Sequence, residues 1–224
     1  MANDPIRSWL TPAAPCRRWL RILSVLDACR WSGLTPILTS SMHVIAYLSE
    51  ALAPAWHLPP IDGKVLKLPV APYYPTLKQD VDRLIGMGLI RVDSLETGRD
   101  DADNPVLQPR ISLELERVGP ILGALRELPG ENEIVEFLRE VVQAFSRLSD
   151  EQIPGAMAQD ATYGSPAVDT GQVIDLGEWL PVEETATSRA VERMRHLATA
   201  GVHPAELVDM YVDHICYRVG NERR

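Results

Sequence analysis

Basic charge is scarce in this chain: 22 Lys and Arg stand against 31 Asp and Glu, a formal net charge of −9. Affinity for duplex DNA is built from many Lys and Arg contacts that release counterions, so a surface of this charge excludes phosphate recognition over the whole protein. Only a local basic patch is left open. Its richest candidate is Arg17, Arg18, Arg21 and Arg30 in one predicted helix, where the plainer reading is a solvated helix face. Cysteine is scarce too. Cys16, Cys29 and Cys216 are an odd number with no CxxC spacing, which argues against a zinc site or a disulfide framework and predicts reduced, mostly buried thiols. No apolar stretch approaches the roughly 18 residues that a membrane span needs. The start MANDPIRSWLTPAAP shows neither a charged region followed by an apolar run nor a lipidation motif, so a cytoplasmic protein is expected.

Catalytic signatures are missing as well. The five histidines, His43, His57, His196, His203 and His214, form no HExxH or HxH pattern. His196 and His214 fall on opposite arms of a predicted terminal hairpin that also carries Glu192, Asp209 and Asp213, which leaves a hydrolase as a third reading. Ser40, Ser41 and Cys29 lack a GxSxG elbow. Gly86-Met87-Gly88 resembles part of a dinucleotide fingerprint, but it follows a helix and precedes a strand, the reverse of what phosphate binding at a helix N-terminus requires. With no Walker motif either, no catalytic residue, metal or cofactor is assigned.

What the chain does have is helical periodicity and enough apolar residues, 46%, to bury a core. Trp19, Leu20, Leu23 and Leu26 predict an amphipathic helix over 16–31, with Trp19 and Trp31 as core or helix-interface anchors. Val44, Ile45, Leu48 and Leu52 predict a second helix, capped by Thr39, Ser40 or Ser41. The stretch 54–64 has too many prolines for a helix, yet Trp56, Leu58 and Ile61 suit an ordered loop laid on an apolar surface. Val65 to Val70 reads as an extended segment. Pro75 then opens a helix with Leu77, Val81, Leu84 and Ile85 on one face, and Gly86 and Gly88 stop it.

Strands follow at 89–95 and 110–115, joined by an acidic loop with Glu96, Asp100, Asp101 and Asp103. Helix, helix, strand, acidic loop, strand is the order of a winged helix. The expected architecture is mainly α with a small β-wing: an N-terminal helix or arm at 1–34, a winged-helix unit at 35–117, and a helical C-terminal region at 118–224. That last region breaks at Pro129-Gly130, carries a long loop at 160–181, and ends in a helical hairpin over 183–200 and 204–219.

A DNA reader needs free cations and amides on its second helix and wing. This chain offers Lys78 and Gln79 followed by Asp80 and Asp82, and an acidic wing, so protein docking is the better use of the unit. Arg17, Arg18, Arg21 and Lys78 are the candidates for DNA contact. The candidates for a partner surface are Trp19, Trp56, His57, Leu58, Tyr73 and Tyr74, since aromatic anchors are enriched at interaction hot spots; ordinary core is the competing role.

The wording APAWHLPPIDGKVLK leading into PYYPTLKQDVDRLIGMGLI within Leu48 to Val92, with DATYGSPA at Asp160 to Ala167, resembles the small middle component of bacterial ABC-three-component defence systems, the group that includes Lamassu-type systems. The resemblance implies a non-catalytic accessory subunit that bridges an SMC-like coiled-coil ATPase and an effector, often a nuclease, in defence against phage or plasmid DNA. Contact with DNA would then be indirect, through the complex. The alternative is a winged-helix DNA-binding transcriptional regulator, with the arginines of the first helix on phosphates.

Overall fold

The computed structural model describes residues 14–59, 63–99, 104–177, 185–198 and 201–222. Ile61, the wing-tip residues Asp100, Asp101 and Asp103, positions 178–181 of the expected loop, and the expected helix ends Glu183 and Ala200 lie outside them. In chain order the described elements are α1 (Ala14–Trp31), β1 (Ile37–Leu38), α2 (Thr39–Leu52), a 3-10 turn (Ala53–Trp56), β2 (Lys64–Lys67), β3 (Pro72–Tyr73), α3 (Pro75–Gly86), β4 (Ile90–Arg99), β5 (Pro105–Leu113), α4 (Leu115–Glu127), α5 (Glu131–Phe145), α6 (Ile153–Gln159), β6 (Val173–Asp175), α7 (Ala186–Leu197) and α8 (Pro204–Glu222). The protein is mainly helical, with two small antiparallel sheets.

Helix α1 sits at the centre. Its residues Ile22 to Cys29 are buried without interruption, enclosed by α5, α3, α4 and β5. The periodic pattern predicts one apolar face, but the helix is covered all round, because Ser24 and Asp27 are buried with the aliphatic residues. Asp27 tolerates this through Arg30 and Arg126, whose guanidinium nitrogens lie 2.8 and 2.9 Å from its two oxygens. Trp31 departs from its expected role as an anchor: it ends the helix 62% exposed. The thiols also differ from expectation. Cys29 is buried, which pushes its pKa up to about 12, whereas Cys16 is exposed and Cys216 half-buried.

The first sheet has the order β1-β5-β4. β4 and β5 form a long hairpin paired from Ile90↔Leu113 to Arg99↔Pro105, with a bulge between Val92 and Ser94. β1 closes onto the far side of β5 through Ile37↔Ile111. Gly88, at φ +68°, turns the end of α3 into β4, with Leu89 N–H donating to the Leu84 carbonyl at 2.9 Å. The second sheet, β3-β2-β6, pairs Leu66 with Tyr73 and Val65 with Ile174. Its strand β6 lies inside the segment expected as a long loop. A three-residue strand is too short to show a period, and its partner is a distant strand.

One buried carboxylate holds these parts together. Asp160, 1% exposed, accepts from the Tyr47 hydroxyl on α2, the Tyr211 hydroxyl on α8 at 2.8 Å, the Thr187 hydroxyl on α7 at 3.0 Å, and the backbone N–H groups of Thr162 and Tyr163 at 3.0 and 2.6 Å. Burial and the adjacent carboxylate raise the pKa of both phenols, so they remain donors. Thr162 and Thr187 also exchange backbone-to-hydroxyl bonds at 3.1 and 2.8 Å. Gly164 completes the turn, because a Cβ there would meet the Ala158 carbonyl at 2.1 Å. From the same turn, Tyr163 donates to the Leu68 carbonyl at 2.6 Å, and Lys67 donates to the carbonyls of Ser165 and Val168 at 2.9 and 2.8 Å, which ties in the second sheet.

Removing the acceptor takes a hydrogen bond from five buried donors and leaves the Tyr47 and Thr187 hydroxyls without an acceptor, so Asp160→Ala is expected to lower unfolding stability by about 3 kcal/mol or more, and Tyr211→Phe by about 1–2 kcal/mol, as read by urea denaturation. A loss below about 1 kcal/mol in Asp160→Ala would refute the role assigned to this carboxylate.

Candidate functional site

Helix α3 is positioned from both ends. At its start the Tyr74 N–H donates to Nδ1 of His43 on α2 at 3.1 Å, and the His43 ring lies 6.3 Å from that of Tyr74 and 5.0 Å from that of Tyr73. Burial pushes the His43 pKa down to about 4, with the Lys78 charge acting in the same direction, so the ring is neutral and its nitrogen accepts. Further along α3, Asp80 is fully buried against α1. It accepts from Arg18 Nε at 2.7 Å, Trp19 Nε1 at 2.8 Å and Arg83 Nη1 at 3.1 Å. Burial opposes its charge, but the hydrogen bonds from Trp19 and Arg18 and the Arg18 charge outweigh it and hold the carboxyl below its ordinary value.

Between α3, the start of α2 and strand β5 lies a cavity of about 600 Å³, lined by Ser40, His43, Tyr73, Val81, Ile85 and Leu107, among others. Lys78 and Asp82 stand on its rim and neutralise each other at 2.7 Å. Leu107, 67% exposed, forms one wall, and Leu95 and Val92 on the same hairpin are 61% and 39% exposed. The groove is therefore largely apolar and balanced in charge. It suits a protein segment better than a polyanion.

The structure distributes the candidate residues unevenly. Tyr73 and Lys78 meet in the groove. Tyr74 is buried beside it. Trp56 is 8% exposed, with its ring 5.8 Å from those of both Phe137 and His203, so its side chain belongs to the core. His57, exposed at φ 55°, and the half-buried Leu58 line a separate cavity with Arg195, whose guanidinium donates to the Ala55 carbonyl at 3.2 Å. Trp19 and Arg18 are engaged by Asp80, and Arg21 lies 3.4 Å from Glu131. Arg17 is exposed on the first turn of α1. Sequence reasoning missed His43, because a histidine inside an apolar stripe carries no periodic signal of its own; it also missed Leu107, which the alternation along β5 could have marked.

On the terminal hairpin, His196 pairs with Glu192 on its own helix at 3.2 Å, and Arg147 binds both Asp209 and Asp213. Among the described residues no group of three His, Cys, Asp or Glu side chains could hold a metal ion. No described helix is long and apolar enough to cross a membrane.

A histidine held neutral in the fold is protonated more readily in the unfolded chain. Stability should therefore fall as pH drops from about 6.5 towards 4, by about 3 kcal/mol at the lower end, with His43→Gln flattening the profile in that window. Equilibrium unfolding across this range checks it. Trp56→Ala is expected to cost about 3–5 kcal/mol of stability in the isolated chain, a large-to-small change in a packed core, as measured by urea denaturation.

Comparison with protein families, curated proteins and solved structures finds no match to this chain, so the groove and its surroundings carry the functional reading.

Proposed function

We propose that β1, α2, α3 and the β4–β5 hairpin form the winged-helix unit of 35–117, with the N-terminal helix α1 packed against it as its third helix, that α3 occupies the position of its recognition helix, and that the unit docks protein. Support comes from the element order and from the sheet order β1-β5-β4, in which the first strand returns to the last. The two-stranded excursion β2–β3 between α2 and α3 pairs with β6 instead of entering this unit. In this reading the chain is a non-catalytic accessory subunit, working without a cofactor in the cytoplasm. It bridges an SMC-like coiled-coil ATPase and an effector nuclease in an anti-phage or anti-plasmid complex, as its resemblance to the middle components of three-component systems implies.

The observation that carries the docking role is the pairing of charge around α3. Lys78 is held by Asp82, Arg83 and Arg18 by Asp80, and the surface between helix and hairpin is apolar. A DNA reader would leave such cations free for phosphates and base edges. Here DNA reaches the complex through the partner.

The test is a tagged pull-down from the native host, with partners identified by mass spectrometry and the recovered complex assayed for DNA binding in moderate salt. Recovery of a coiled-coil ATPase is expected, with Leu107→Glu or Ile85→Glu weakening its capture by more than about 2 kcal/mol while the subunit stays folded. Recovery of the chain alone, with binding to a defined DNA site that falls steeply with salt, would overturn this reading in favour of the regulator.

A further inference from the structure

We propose that Trp31, with Arg30, Arg126 and Arg139, forms a second docking surface that takes an acidic segment of a partner protein. Three guanidinium groups converge on one buried carboxylate. Asp27 accepts two bonds from Arg30, at 3.2 and 2.8 Å, and one from Arg126 at 2.9 Å, while Arg139 Nη2 stays 3.9 Å away. Among the described residues the Arg139 Nε has no hydrogen-bond partner.

The cluster exceeds what Asp27 needs. Each guanidinium carries five N–H donors, so three of them surround a group that takes three hydrogen bonds, and all three side chains stay about 40% exposed. Over two of them lies the Trp31 ring, 62% exposed, with the Arg30 and Arg139 guanidinium carbons 5.0 and 5.4 Å from its centroid. An open indole between cations is a platform for an apolar side chain flanked by carboxylates, which guanidinium groups bind in bidentate fashion.

Charge complementarity decides the occupant. The chain carries −9 overall, so a long polyanion is repelled before it gains the many contacts that nucleic-acid affinity requires. A short acidic peptide needs only the donors present here, and Trp and Arg are the side chains most enriched at protein interaction hot spots. The site is also distinct from the groove. Arg18 and Trp19 anchor α3 near the start of α1 whereas Trp31 ends it, and at 1.5 Å per residue the two tryptophans are about 18 Å apart along the helix. A bridging subunit needs two such surfaces, but the inference does not rest on the groove, because its test uses the isolated chain.

The test is fluorescence anisotropy of a labelled ten-residue peptide alternating glutamate and leucine, titrated with the full chain at low salt, beside an alternating glutamine and leucine control and a single-stranded oligonucleotide of similar charge. Saturable binding of the acidic peptide is expected, weakened at least about tenfold in Trp31→Ala and in Arg139→Gln, with circular dichroism unchanged in both. Arg139→Gln leaves the two hydrogen-bonded partners of Asp27 in place, so a folding failure of Trp31→Ala would still leave a readable variant. Absence of saturable binding, equal binding of the control, insensitivity to both substitutions, or tighter binding of the oligonucleotide would each overturn the proposal.

Discussion

The fold depends most on a buried carboxyl group that has no cation beside it among the described residues. Burying an isolated carboxylate is prohibitive unless hydrogen bonds replace its water. Asp160 draws those bonds from α2, α7, α8 and its own turn, so these segments must converge at one point. That convergence joins the terminal hairpin to the core built around α1, and Lys67 and Tyr163 hook the second sheet onto the same turn. The segment DATYGSPA is thus a packing device in this molecule. Asp160 receives the hydrogen bonds, Ala161 and Thr162 add backbone donors, and Gly164 permits the tight return.

The same constraint governs the other two aspartates buried among the described residues, which do have cations. Asp80 takes Arg18 and Arg83, and Asp27 takes Arg30 and Arg126. A chain short of basic residues therefore commits several of them to its own interior carboxylates. Three of the cations that would suggest DNA binding, Arg18, Arg21 and Lys78, are paired with carboxylates, and the open surfaces among the described residues include an apolar groove beside α3 and the indole of Trp31.

Much of the architecture was legible in local pattern. The helices at 39–52, 75–86, 115–127, 131–145 and 204–222 follow from apolar periodicity, from Pro75 and Pro204 at helix starts, and from glycines at the breaks, because these signals act within one or two turns. The existence of the hairpin followed from alternation. Its strands, however, run on to Arg99 and start at Pro105, through residues expected as the acidic loop, because cross-strand pairing extends them beyond the alternating pattern, and Leu115, expected in the second strand, starts α4. The strand β6 was not legible, since three residues hold no period and acquire their conformation by pairing with β2. Of the residues nominated from the sequence, Tyr73, a candidate for partner contact, and Lys78, a candidate for DNA contact, line the groove, while Trp56, an aromatic in a proline-rich loop, is a core side chain.

Composition and short-range pattern settled the mainly helical class, the shortage of positive charge and the positions of most helices, because each of these depends on residue content or neighbouring residues alone. Packing over long sequence separations decided which aspartates are buried, which arginines they consume, that α1 lies at the centre, and that Trp31 faces solvent while Trp56 does not. These outcomes depend on groups brought together from distant parts of the chain, such as Tyr47, Asp160, Thr187 and Tyr211, whose meeting leaves no trace in the spacing of any one segment.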